Sequence, residues 1–111
     1  MNTYTALLTQ TETNIPNVNV LDGIPGNEIT WSRVGAGIYR GTPTTPFDIA
    51  KTAVMIGSNN GGRYIFNAFI DWEEEIGTVI VQSLLQDPVT KEMVYTDNAL
   101  YNSALTIEQR A

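Results

Sequence analysis

Apolar and polar residues alternate along short segments of this chain, and turn-forming residues separate the segments. In Tyr64–Ile70, the even-numbered residues are apolar, whereas Asn67 projects to the opposite side of an extended chain. A period of two is typical of β-strands, in which successive side chains point to opposite faces. The recurrence of this pattern along the chain predicts an all-β fold.

Several other segments follow the same pattern. Ile76–Ser83 is a strong strand candidate, with Val79 and Val81 on one face. Ala53–Ile56 is apolar on both faces, which predicts a strand buried on both sides. Weaker alternation predicts further strands at Thr3–Thr9, Val18–Leu21, Glu28–Val34, Gly37–Gly41, Glu92–Tyr95 and Ser103–Gln109.

Glycine and asparagine mark tight turns between these segments. Gly35-Ala36-Gly37 predicts a hairpin with a positive backbone φ. Asn60-Gly61 is a favoured pair for a two-residue turn, so we expect the strands ending near Gly57 and starting near Arg63 to pair antiparallel. Further turn clusters occupy Asp22–Asn27 and Asp87–Lys91.

One segment breaks the pattern of strands and turns. Gly41–Asp48 contains two prolines, which predicts that it does not lie in a central strand. After Pro46, residues Phe47–Lys51 suit a single helical turn. No long helix is predicted anywhere in the chain.

The length of 111 residues predicts one domain, residues 1–111. Short connections favour antiparallel pairing, since parallel pairing needs long crossovers. We therefore expect a single antiparallel β-sandwich or jelly-roll-like domain of about seven to nine short strands.

Composition narrows the possible functions. The chain has no cysteine and no histidine, which excludes zinc sites of the Cys/His type and histidine-based catalytic triads. Its net charge is −6 with no basic run, which argues against nucleic acid and acidic membrane surfaces as partners. Only 16% of residues are charged, which indicates that another chain covers part of the surface.

The densest charge run is Asp71-Trp72-Glu73-Glu74-Glu75. It could hold a cation or a glycosidase-type carboxylate pair. We favour a solvated loop between two strands, because so local a run cannot by itself place two carboxylates across a sugar. No catalytic, cofactor-binding or metal-ligating residue is predicted, and the chain is not expected to be an enzyme.

Aromatic residues offer a second set of candidates. A sugar-binding platform is one interpretation, and core or interface packing is the favoured one. Trp31, inside a predicted strand, is expected in the core, whereas Trp72 beside the acidic run is expected to be exposed. The candidate interface or ligand contacts are Trp72, Tyr39 and Tyr101.

Four stretches of the chain, taken in order, resemble small virion proteins of tailed bacteriophages, especially those infecting Bacteroidetes. The segment Gly41–Asp48 departs from that pattern, in which the corresponding turn is shorter. The stretches are Tyr4–Gln10 with Thr13–Pro16, then Val20–Asp22 followed by Ile29–Arg33 and Gly35–Tyr39, then Lys51–Ile56, and finally Leu100–Glu108.

The resemblance implies a head-fibre, capsid-decoration or tail-associated protein. It implies a homo-oligomer, dimer or trimer, that contacts other virion proteins such as capsid or fibre subunits and needs no cofactor. Such a protein is assembled in the bacterial cytoplasm and resides in the virion. The alternatives are a carbohydrate-binding, host-adhesive sandwich that recognises a surface glycan, and a small enzyme that uses Asp71 with Glu73–Glu75.

Overall fold

The computed structural model describes residues 2–57 and 64–110, and it places nine strands in that part of the chain. A single-turn 3-10 helix, Ile49–Lys51, accompanies them. The strands are β1 (Asn2–Thr9), β2 (Asn17–Asp22), β3 (Ile29–Gly35), β4 (Ile38–Pro43), β5 (Thr52–Ile56), β6 (Tyr64–Ile70), β7 (Val79–Gln86), β8 (Met93–Tyr95) and β9 (Ser103–Gln109).

Two antiparallel sheets pack together as a β-sandwich, which confirms the predicted fold class. The four-stranded sheet has the order β2-β1-β9-β5. The five-stranded sheet has the order β3-β4-β7-β6, and β8 pairs with the end of β7. The protein measures 46 × 28 × 22 Å, and its shortest dimension fits two stacked sheets with their side chains.

The core lies between the sheets and consists of the inward-facing residues of their strands. On β1, buried Tyr4, Ala6 and Leu8 alternate with partly exposed residues. Trp31 is buried, as predicted, and its indole N–H donates to the Tyr4 hydroxyl at 3.4 Å. Further core side chains come from the central strands and from two loops: Tyr39, Phe47, Val79, Val81, Leu100, Leu105 and Ile107.

The two predicted tight turns, one before β3 and one after it, are confirmed. Gly37 has a φ of 68° and closes the hairpin of β3 and β4. Gly26 has a φ of 75° in the turn between β2 and β3, where Ile24 and Asn27 form an isolated bridge. Both glycines lie in the left-handed region, which other residues enter at a cost.

The proline segment is partly in a strand, contrary to the prediction. Gly41–Pro43 forms the end of β4, but Gly41 is the last residue that pairs with β7, so Pro43 lies where β4 has a partner on one side only. The helical turn predicted after Pro46 is confirmed as the 3-10 helix. The Asp48 carboxylate caps it by accepting from the Ala50 N–H at 2.9 Å.

The strand predicted at Ile76–Ser83 begins later, at Val79. Residues 76–78 instead close the connection from β6 to β7, where Gly77 has a φ of 85°. The Asp71 N–H donates to the Thr78 carbonyl, and the Gly77 N–H donates to the Asp71 carbonyl. Alternation of apolar residues continues through this turn, which is why it resembled a strand.

The predictions for β5 were wrong in two respects. Ala53 and Met55 are exposed, because β5 is an edge strand whose outer face is uncovered. Within the described residues, β5 pairs with β9 and β6 pairs with β7, so the two strands belong to different sheets and the predicted hairpin between them is wrong. The Asn60-Gly61 turn itself lies outside the described residues.

Candidate functional site

The three aromatic residues singled out in the sequence do not form one site. Tyr39 was a candidate contact, but its side chain is fully buried in the core and cannot meet a partner. The side chains of Trp72 and Tyr101 are 55% and 68% exposed. Trp72 follows β6 at one end of the sandwich, whereas Tyr101 precedes β9 at the other, beside the end of β1. A shared sugar-binding platform of these residues is therefore absent.

The acidic segment is organised around a buried ion pair rather than fully solvated as predicted. Asp71 and Arg40 are only 8% and 7% exposed, and Arg40 Nη1 donates to Asp71 Oδ2 at 2.7 Å. The same Nη1 donates to the Thr78 hydroxyl at 2.6 Å. Arg40 Nε lies 3.1 Å from a carboxylate oxygen of the exposed Glu75. Arg40 Nη2 lies 3.9 Å from a carboxylate oxygen of Glu74, so four polar partners surround the guanidinium of this central strand.

Asp71 also shapes the connection between β6 and β7. Its Oδ1 accepts from the Glu73 N–H at 3.0 Å, and its Oδ2 accepts from the Glu75 N–H at 3.2 Å. The hydrogen bond from Arg40 and these backbone donors hold the pKa of the Asp71 carboxyl well below its usual range. A general acid for glycoside hydrolysis requires the opposite shift. The Asp71 carboxylate therefore suits a structural role.

A second carboxylate, Asp97, joins the β3–β4 hairpin to the segment before β9. Arg33 Nη2 donates to its Oδ2 at 2.6 Å, and the Gly37 N–H and the Tyr39 hydroxyl donate to its Oδ1 at 3.0 and 2.7 Å. The hydrogen bond from Arg33 is the main cause that lowers the pKa of Asp97 to about 2. Burial raises the pKa of the Tyr39 hydroxyl, and so does its hydrogen bond to Asp97.

Acid should destabilise the protein, and Asp97 should contribute to this effect. Its pKa is about 2 in the folded protein against an ordinary value of 3.8, so between these values the unfolded chain binds more protons. The contribution of Asp97 to stability is thus present above pH 3.8 and is lost as the pH falls through 2. We expect the free energy of unfolding, measured with urea, to fall across this window. Arg33→Gln should reduce that fall, and an unchanged fall would contradict the assignment.

The outer face of the five-stranded sheet carries several apolar side chains. Strand register places side chains opposite one another on it: Ile65 with Leu84, and Phe69 with Ile80. Ile65 and Phe69 are 50% and 42% exposed. We define the apolar face as Ile38, Ile65, Phe69, Ile80, Leu84 and Tyr95, all of which lie on this side of the sheet.

A groove of about 300 Å³ crosses one end of the apolar face. Its apolar wall includes Val34, Ile38 and Phe69. Its polar end consists of the Arg40–Asp71 pair together with Glu73 and Glu74. Arg40 is the one charged side chain that the strands of this sheet, in their described parts, project outward, and the carboxylates of Asp71, Glu74 and Glu75 lie 2.7, 3.9 and 3.1 Å from its guanidinium. The residues of the apolar face are uncharged, whereas the end of the face at Arg40 is acidic.

The outer face of the four-stranded sheet has the ordinary character of a solvated surface. On β1, threonines alternate with the buried core residues, and on β9, Thr106 and Glu108 do so. Asn19 of β2 lies opposite Leu7 on the same face. An antiparallel sheet with one face in water normally has such polar residues on that face. The two sheets thus differ in degree: the outer face of the four-stranded sheet mixes threonine, asparagine and glutamate with Leu7, Met55 and alanines, whereas the five-stranded sheet presents the apolar face.

Sequence reasoning missed Arg40, Asp97 and the apolar face. Arg40 and Asp71 are 31 residues apart, and no spacing rule connects them. The alternation in β6 did place Ile65 and Phe69 opposite the core side. It could not show that the neighbouring strands present apolar residues on that side as well.

Comparison with known proteins gives no match to a family model, to a curated protein or to a solved structure. In residues 2–57 and 64–110, no group of acidic side chains has the arrangement of a metal site. The same part of the chain contains no helix of the length and apolarity that crossing a membrane requires.

Proposed function

We propose that this chain is a non-enzymatic structural subunit on the exterior of a bacteriophage particle, a head fibre or capsid decoration, and that it assembles through the apolar face. The apolar face is the observation that carries the assembly role. Ile65, Phe69 and Tyr95 of this face are 50%, 42% and 44% exposed, and clustered exposed apolar side chains are typical of interaction sites. The phage setting is supported by the resemblance of four sequence segments to small virion proteins.

Charge supports the same role. The chain has a net charge of −6, so copies of it repel one another over most of their surface. The six residues of the apolar face are uncharged, and the acidic cluster around Arg40 lies at one end of the face. Depletion of charge is typical of the centre of a protein interface. An acidic exterior also suits a protein outside the shell better than one that contacts DNA. Capsid or fibre subunits are the further partners of this proposal.

Replacing Ile65 with lysine tests the assembly role. We expect light scattering over a dilution series to show a stable oligomer for the wild type. Ile65→Lys should weaken association at least about 10-fold, because it places a charge in a dehydrated contact. Met55→Lys is the matched control, since Met55 lies on the outer side of the other sheet and is 51% exposed against 50% for Ile65.

The two outcomes separate the candidate functions. Oligomers that Met55→Lys preserves and Ile65→Lys dissociates would support the proposal. A wild-type protein that stays monomeric at every concentration would contradict self-assembly. The carbohydrate-binding alternative would then be tested by a glycan screen with a Trp72→Ala variant, since Trp72 is the exposed tryptophan.

A further inference from the structure

The two sides of the sandwich, where the edges of the sheets meet, are not alike. At one side, the edge strands β5 and β6 pack against each other. At the other side, β2 and β3 are scarcely in contact, and a pocket of about 330 Å³ opens between them. The register of β2 on β1 skips Leu21, and such a bulge bends an edge strand where it borders the pocket.

The lining of this pocket is mostly apolar. Tyr4 of the neighbouring strand β1 is one of the lining residues, although it is only 3% exposed. Among the described residues that line the pocket, Glu28 alone is charged, and it is exposed. The apolar walls come from Val20, Ile24 and Ile29. Sites for small molecules typically have such walls with one or two polar groups, and the volume is near the lower end of their range.

The Tyr4 hydroxyl is a buried donor without an acceptor. It accepts from the indole N–H of Trp31 at 3.4 Å, and within residues 2–57 and 64–110 it donates to no other group. A buried donor that has no acceptor destabilises the folded protein, and such groups are rare. A molecule in the pocket that offers an oxygen acceptor would remove this cost.

We propose that the pocket between β2 and β3 binds a small, uncharged, mainly apolar molecule whose carbonyl or ether oxygen accepts a hydrogen bond from the Tyr4 hydroxyl. Glu28 and the net charge of −6 disfavour an anion such as a fatty acid. An exposed carboxylate adds little to the affinity of a cation. None of the described lining residues belongs to the apolar face, so ligand binding here is separate from the proposed assembly role.

Acetophenone and ethylbenzene are matched probes of the hydrogen bond, because they differ in the carbonyl oxygen. The two tryptophans of the chain give two indole signals in a proton–nitrogen correlation NMR spectrum. Trp31 adjoins Tyr4, whereas Trp72 lies outside the pocket and serves as the reference. We expect both probes to shift the Trp31 signal saturably. Tyr4→Phe should weaken acetophenone binding about 10-fold and leave ethylbenzene binding unchanged.

Two further variants test the location of the site. Val20→Phe places a larger side chain in a wall of the pocket and should abolish the acetophenone shift. Leu21→Phe is the matched control, since Leu21 does not line the pocket and is 58% exposed against 51% for Val20. Circular dichroism of each variant checks the fold. Benzoate, an anion of the same size as acetophenone, should bind at least about 10-fold more weakly.

The outcomes decide for or against the pocket. Saturable acetophenone binding that Val20→Phe abolishes, Leu21→Phe preserves and Tyr4→Phe weakens would support the proposal. No shift of Trp31 in the wild type would overturn it, because water alone would then satisfy the Tyr4 hydroxyl. Equal effects of Tyr4→Phe on both probes would overturn the hydrogen bond. Benzoate that binds as tightly as acetophenone would overturn the uncharged class of ligand.

Discussion

Gly37→Ala is expected to destabilise the protein by about 2–5 kcal/mol. Gly37 has a φ of 68°, a conformation that costs an alanine roughly 1–2 kcal/mol. A Cβ at this position would also lie 2.5 Å from the Thr96 nitrogen and 2.6 Å from the Ser83 carbonyl oxygen. Both are main-chain atoms that join β8 to β7, so the β3–β4 turn would have to move away from them.

Gly26→Ala is the matched control for this experiment. Gly26 has a similar φ of 75°, but no atom lies within 4 Å of the position that its Cβ would take. The decrease in the free energy of unfolding of Gly26→Ala should therefore reflect the backbone conformation alone, roughly 1–2 kcal/mol. Urea unfolding of both variants measures the difference. Equal destabilisation would show that the close approach of Gly37 to β8 is unimportant.

Asp71→Ala is expected to cost about 3 kcal/mol or more. The change leaves the buried guanidinium of Arg40 without its closest carboxylate and frees the backbone N–H groups of Glu73 and Glu75. Exposed Glu75 still contacts Arg40 and offsets part of the loss. The free energy of unfolding in urea is the measurement.

Asp87→Ala is the control that distinguishes the contribution of the ion pair from that of the backbone hydrogen bonds in the turn. Asp87 accepts from the N–H groups of Val89 and Thr90 in the same manner, and it has no ion pair among the described residues. We expect this variant to lose clearly less stability than Asp71→Ala, because Asp87 is only partly buried and accepts hydrogen bonds from the backbone rather than from a charged group. If both variants lose the same stability, the Arg40–Asp71 pair contributes nothing beyond the turn.

Among the candidate contact residues, the sequence predicted the exposure of Trp72 but not the burial of Tyr39. The exposure of Trp72 followed from its place between a strand and an acidic run. Tyr39 was a candidate interface or ligand contact, yet it is buried, and its hydroxyl donates to the carboxylate of Asp97. Its partner comes from 58 residues further along the chain, so no local pattern could reveal it.

The sequence by itself determined the local structure of this protein. Alternation placed most of the strands, and Gly37 and Gly26 determined turns because few other residues adopt a positive φ at low cost. Tertiary structure alone decided that β5 and β6 belong to different sheets, that Arg40 is buried, and that the outer face of the five-stranded sheet is apolar. The physical reason is that a period of two distinguishes the two faces of a strand, whereas long-range pairing decides which strands adjoin and which face is covered.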